Sequence, residues 1–287
     1  MQIGVVFPQT EIEPQVAAIR TYAVEVEQMG FAHLSAYDHV LGADPAIHEG
    51  FAGPYDLSSR FHEPLVLFGY LAAVTSLELA TSVLILPQRQ TALVAKQAAQ
   101  VDLLAEGRFR LGVGVGWNAV EYEALGQDFA QRGRREEEQV ALLRQLWTEP
   151  SVTFEGDFDT VIGAGLAPLP VQRPIPIWLG GSSDPAYQRM GRLADGWFPQ
   201  VPPGERLDQA LEVIADAATH AGRDPQAIGM EGRVSCRGRE VGEVVEHIHR
   251  WRDAGATHVS VNTMGAGLED VNQHLAALAE VAARLGP

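Results

Sequence analysis

Eight short runs rich in β-branched residues, each followed by a longer stretch with apolar residues at helical spacing, order this chain from one end to the other. Alternation of this kind builds a parallel sheet covered by helices, because two parallel strands can be joined only by a long crossover. The strand runs span residues 3–7, 33–37, 79–86, 109–115, 175–179, 196–200, 228–235 and 258–262. A count of eight favours an α/β protein of the closed (β/α)8 TIM-barrel type, although a doubly wound open sheet shows the same periodicity. The intervening helices carry their own signals. Val16, Ile19, Ala23 and Val26 form one apolar stripe that stops at Gly30, and Asp184-Pro185 reads as an N-cap followed by a first-turn proline.

Two connections exceed ordinary turns, at residues 39–63 and 150–174. The first follows strand two and so belongs on the face of a barrel where active sites are built; the second is a hairpin-like or irregular insertion before strand five. Neither has the composition of a linker, so residues 1–287 are expected to form one domain. The 46% hydrophobic content supplies a full core.

The formal charge of −16 disfavours nucleic acid and anionic membrane surfaces as partners. Lys96 is the only lysine, which leaves a Schiff-base mechanism a single candidate; Cys236 is the only cysteine, which excludes an internal disulfide or a Cys-rich metal site. A cytoplasmic protein is expected, since the strand-like run at residues 3–7 stands where a leader would be, and no apolar run approaches a membrane span.

Three segments carry candidate chemistry. In Leu111-Gly112-Val113-Gly114-Val115-Gly116, glycines alternate along a strand and strip the side chains from one face. That face admits either a bulky neighbouring side chain or a planar ring. The glycines do not form the G-x-G-x-x-G dinucleotide fingerprint. In Leu179-Gly180-Gly181-Ser182-Ser183-Asp184, a strand ends in small residues just before a helix. Free amides and the helix dipole there suit a phosphate, although a plain capped turn uses the same residues. At the end of strand two, Tyr37-Asp38-His39 places a histidine where barrel enzymes carry their catalytic groups, and Asp38 equally fits a turn cap. His39, His48 and His62 lack metal-ligand spacing, so no metal site is expected, and no G-x-S-x-G elbow is present.

Taken together, Asp38-His39, the run Leu79 to Val83 with Pro87 and Arg89, Leu111 to Trp117 with Glu121, Pro176-Ile177-Trp178 leading to Gly180-Gly181, and Ala194-Asp195-Gly196-Trp197 resemble the luciferase-like superfamily of flavin- and F420-dependent oxidoreductases. The resemblance runs from Ile3 to about Gln200. It implies a coenzyme F420 or FMN ring in the barrel mouth, bordered by strands two, three and the glycine strand, with its phosphate at Gly180, Gly181 and Ser182. Asp38, Ser82, Val83, Gly114, Gly116, Leu179 and Gln200 complete the implied cofactor-binding set. F420-using members have a non-proline cis peptide, here matching Ser82–Val83. Asp38 would bond the ring's polar edge, and His39 would be the catalytic group that moves the proton accompanying hydride transfer.

The implied activity is F420-dependent hydride transfer with a small organic substrate, the protein being a homodimer. The alternatives are an FMN-dependent two-component monooxygenase supplied by a separate flavin reductase, and a non-catalytic flavin-binding protein. Trp117 stands where sugar-phosphate-oxidising members have a glutamate, and lysines for a substrate phosphate are missing, so that substrate is not expected. Phe51, Tyr55 and Phe61 in the 39–63 loop suit a lid over an apolar or aromatic substrate.

Overall fold

The computed structural model describes residues 1–286. Its strands are β1 (Gln2–Val6), β2 (His33–Ala36), β3 (Glu78–Thr81), β4 (Leu84–Ile85), β5 (Phe109–Gly114), β6 (Val152–Glu155), β7 (Thr160–Ala164), β8 (Ile177–Gly181), β9 (Gly196–Pro199), β10 (Gly229–Ser235) and β11 (His258–Asn262). The helices are α1 (Val16–Gln28), α2 (Pro64–Leu71), α3 (Thr91–Leu104), α4 (Ala119–Ala124), α5 (Arg132–Thr148), α6 (Asp184–Leu193), α7 (Glu205–His220), α8 (Val241–Asp253) and α9 (Val271–Leu285). All strands but β6 and β7 pair in parallel, and the sheet closes on itself through β1–β11 and β3–β5. β3 and β4 are the two halves of one barrel strand, so the fold is an eight-stranded α/β barrel.

Two strands differ from the sequence expectation. The run 79–86 is broken at Ser82–Val83, whose peptide bond is cis, matching the bond that the resemblance singled out. Strand five starts two residues late, because Pro174 and Pro176 remove the donors that ladder pairing needs, and it continues through Gly180 and Gly181. The 150–174 connection is an antiparallel hairpin, β6 with β7. Its turn is tied to α5 by the Glu138 carboxylate, which accepts the amides of Asp157, Phe158 and Asp159 at 2.7, 2.9 and 2.7 Å. Asp159 in turn accepts the Thr91 hydroxyl at the start of α3, at 2.6 Å.

The main core lies between sheet and helices. On α8, Val244, Ile248 and Trp251 recur at the spacing of one helix face and are buried. The Trp251 ring fills the space outside β10 that Gly232 leaves empty. Residues 231 and 233 therefore point inward, since side chains alternate along a strand.

The lower interior of the barrel is charged. Arg110 on β5 donates to Glu231 on β10 at 2.8 Å and forms an ion pair with Glu78 on β3 at 2.9 Å. Glu231 is also bonded by Ser260 at 2.5 Å and meets His33 Nε2 at 3.1 Å. The Arg110 guanidinium lies 4.4 Å over the Trp178 ring. Burial alone raises a carboxyl pKa, but His33 and Arg110 pull that of Glu231 far below its usual range. Among the described residues, no helix is long and apolar enough to cross a membrane.

Candidate active site

The mouth of the barrel is formed by the strand C-termini and the 39–63 loop. His39 lies three residues past β2 and points at α4, whose first turn holds Glu121. Asn118 caps that helix, accepting the Val120 amide at 3.2 Å. One Glu121 oxygen meets His39 Nδ1 at 3.2 Å, and the other accepts the amides of Val40 and Leu41, the latter at 3.1 Å. Burial pushes the Glu121 pKa up, yet these bonds and the charge of His39 outweigh it and hold the carboxyl below its ordinary value. An ionised carboxylate on Nδ1 fixes the proton there and leaves Nε2 to exchange one with a ligand. Phe61, Trp117 and Tyr55 surround the imidazole, their centroids at 4.8, 5.4 and 5.5 Å. His39 lines a cleft of ≈ 530 Å³ together with Leu41, Tyr55, Phe61, His62 and Asn118. The aromatic loop residues thus sit over the histidine, as a lid would.

Asp38 is buried beside the broken strand. Its carboxyl is 2% exposed and occupied from within the protein: one oxygen accepts the Ile85 amide at 2.9 Å, the other Arg89 at 2.8 Å. Arg89 continues to Glu63 at 2.8 Å. Asp38 therefore braces the broken third strand and the base of the lid. Burial raises its pKa, and Arg89 opposes that shift.

The glycine strand resolves in favour of packing. A Cβ on Gly114 would come within 2.6 Å of Val83, and one on Gly116 within 2.8 Å of Ile85. Gly112 faces the Thr81 carbonyl and the Phe198 ring. Gly114 and Gly116 thus seat the side chains of the broken strand. Val83 also approaches the position of a Gly180 Cβ to 3.0 Å, wedged between β5 and β8. What faces the mouth here is the bulge itself. Ser82 lines a narrow cleft with Phe198, Gln200, Glu231, Arg233 and Ser260. Gln200 is exposed, with its amide donating to the Phe198 carbonyl at 3.3 Å. Leu179 is 2% exposed, its side chain packed in the main core.

Gly180 and Gly181 lie within β8, and the turn proper is Ser182-Ser183, both exposed, before α6. Ser183 occupies the N-cap position, one residue earlier than expected, and no side chain caps the helix. Uncapped first-turn amides beside small residues fit a phosphate, with Asp184 the one competing charge in that turn.

Two residues escaped the sequence reading. Glu121 was only part of a resemblance; its signal was an acid in the first turn after an Asn cap, which does not name a partner 82 residues away. Arg233 was passed over, although two charged residues alternating on a strand, Glu231 and Arg233, are unusual for a barrel interior. Arg233 donates to the Tyr37 hydroxyl at 3.1 Å. Among the described residues, no group of three His, Cys, Asp or Glu side chains is placed to hold a metal ion.

Known proteins share this framework. The chain is 30% identical over 230 residues to an uncharacterized protein of Mycobacterium tuberculosis, covering 79% of this chain and 78% of that one. It is 33% identical over 187 residues to an FMNH(2)-dependent dimethylsulfone monooxygenase of Pseudomonas fluorescens, covering 63% of this chain and 50% of the relative. Among solved structures, an F420-dependent secondary alcohol dehydrogenase in complex with an F420-acetone adduct superposes with a TM-score of 0.79 at 18% identity, covering 100% of this chain and 99% of that one. The monooxygenase RslO1 from Streptomyces bottropensis gives 0.79 at 19%, covering 99% and 98%. At these identities the superpositions speak for the fold. The luciferase-like monooxygenase family model matches residues 1–285, and the chain belongs to that family of flavin- and deazaflavin-dependent oxidoreductases.

Proposed function

We propose that this protein is an F420-dependent oxidoreductase that exchanges a hydride with a small organic substrate carrying a hydroxyl or carbonyl group. The observation that carries the reading is His39 held on the buried carboxylate of Glu121 at the edge of an aromatic-lined cleft. Removing hydride from a carbinol carbon requires the hydroxyl proton to leave, and His39 Nε2 is the group positioned to take it. The reverse reaction returns that proton to the carbonyl oxygen.

Several residues fit the cofactor. The Ser182-Ser183 turn and the first amides of α6 would hold its phosphate, and Ser82 with the Val83-wedged bulge would meet the ring. Bound F420 supplies a two-electron hydride carrier with little reactivity toward oxygen. Phe61, Tyr55 and Trp117 would exclude water from the imidazole.

The similarity to the dimethylsulfone monooxygenase favours a second reading, an FMN-dependent monooxygenase fed by a separate flavin reductase. Anaerobic incubation with F420 and a panel of secondary alcohols separates the two. Bleaching of the F420 absorbance, slowed by about 10²–10⁴-fold in His39→Ala with cofactor affinity retained, is the expected result. Turnover only with reduced FMN and oxygen would reverse the assignment. Self-association as a homodimer is also proposed, because α2 and α3 leave Val66, Leu93 and Leu104 exposed at 70%, 52% and 49%. Sedimentation of Val66→Glu checks it, a monomer being the expected outcome.

A further inference from the structure

Three arginines shielded from solvent are matched by carboxylates. Arg89 has Asp38 and Glu63, Arg110 has Glu231 and Glu78, and Arg189 has Glu136 and Glu137. Arg233 at the barrel mouth has no such partner, as is also true of the half-buried Arg108 and Arg135, whose bonds go to neutral groups of the protein. Arg233 projects inward from β10 into the mouth, one layer above Glu231, and among the described residues no carboxylate lies within ion-pair distance of it. Its hydrogen-bond partner is a neutral phenol, Tyr37. The guanidinium also lies 5.8 Å from the Tyr37 ring centroid. Although protein surrounds it on most sides, the side chain remains open to solvent in the mouth.

A guanidinium presents five N–H donors in a planar fork, and one contact to a hydroxyl leaves an edge free for a second ligand. The complementary shape is a carboxylate, which accepts two parallel bonds. The cofactor's phosphate has its own candidate turn before α6, on a different strand. The chain carries a formal charge of −16, so an unmatched cation in its mouth selects strongly among small anions. Around Arg233 the walls are part aromatic, with Tyr37, which packs with Phe61, and Phe198, and part polar, with Ser82, Gln200 and, one layer below and already engaged by Arg110, Glu231. Phe61 in turn touches His39.

We propose that Arg233, with the Tyr37 hydroxyl beside it, receives a carboxylate carried by the substrate, making the substrate class hydroxy or oxo acids with an apolar body. The inference rests on the hydride-transfer reading for the hydroxyl or carbonyl; the carboxylate is read from Arg233 itself. Anchoring the acid on β10 would present the other end of the molecule to His39 across the mouth.

Calorimetric titration with benzoate and with benzyl alcohol tests it, on the purified protein with and without saturating F420 or FMN. Benzoate is expected to bind more tightly than benzyl alcohol. Arg233→Met should weaken benzoate at least about tenfold, with Arg233→Lys intermediate and benzyl alcohol and cofactor affinity unchanged. Tyr37→Phe, which keeps the ring, should weaken benzoate by a few-fold. Equal benzoate affinity in wild type and Arg233→Met would overturn the assignment, as would wild type that prefers benzyl alcohol. A variant that loses F420 or FMN and keeps benzoate would place the charge on the cofactor and overturn it too. Failure of wild type to bind either cofactor would sink the hydride-transfer reading, while the benzoate comparison still judges Arg233.

Discussion

Two residues apart on β10, Glu231 and Arg233 point into the same barrel and live in opposite worlds. Glu231 belongs to the floor, where it is 3% exposed and shared among Arg110, His33 and Ser260. Arg233 belongs to the mouth, open to solvent, with one neutral partner. The floor closes its charges upon one another and so contributes a fixed, sealed plug. The mouth leaves charge and proton-transfer capacity unspent: Arg233 without a carboxylate, and His39 with Nδ1 engaged by Glu121 and its other nitrogen available. Chemistry is found where the barrel stops satisfying its own polar groups.

Substitutions should separate the two layers. Glu231→Ala leaves the buried Arg110 guanidinium with Glu78 as its one carboxylate, and His33 and Ser260 without their shared acceptor, and is expected to cost about 3–5 kcal/mol of stability, read by denaturant unfolding. A loss below about 1 kcal/mol would show that the floor cluster does not hold the barrel together.

Acid should act on the floor as well. His258, against Trp178 with centroids 5.1 Å apart, is pushed down to about 3 by burial and by the neighbouring charges of Arg110 and His33. Its folded value is depressed, so the unfolded chain binds the proton first. The stability it contributes is complete above the ordinary histidine value and is lost as pH falls from about 6.5 toward 3, about 2 kcal/mol of it by pH 5. Unfolding free energies at several pH values check this, and His258→Gln should flatten the slope.

In the mouth, effects should appear in turnover before stability. Glu121→Gln removes the charge behind His39 while keeping an acceptor for the loop amides. A fall of about 10–100-fold in kcat with cofactor affinity unchanged is expected, together with a displaced pH–rate profile. An unaltered profile would reduce Glu121 to a loop clamp. The smallest effect belongs to Arg233→Met on folding, within about 0.5 kcal/mol of wild type, because it breaks no ion pair.

The barrel was legible because strand and helix periods are local properties of the chain. The hairpin was legible as an insertion for the same reason, and its strands were not, because their pairing depends on Glu138 reaching three amides about twenty residues away. The third strand reads as one apolar run; its break depends on Asp38, 47 residues earlier, bonding the Ile85 amide. That same long-range bond makes Asp38 a brace, a role that the resemblance did not name. Alternating glycines announced a close approach without naming Val83, Ile85 and Phe198 as what approaches. His39 stood out as a strand-end histidine, and its catalytic role came from the resemblance. Glu121 and Arg233 acquire meaning only from partners 82 and 196 positions distant.

The most direct test of the hydride-transfer account is cofactor choice, measured by titrating the apoprotein with F420 and separately with FMN while following tryptophan fluorescence. Trp117 stands 5.4 Å from His39 at the mouth, so a ring bound there should quench it, while Trp178 lies deeper, beneath Arg110. Micromolar binding of F420 with much weaker binding of FMN is the predicted result. Tight FMN binding with none for F420 would contradict the account and make the site that of a flavin monooxygenase.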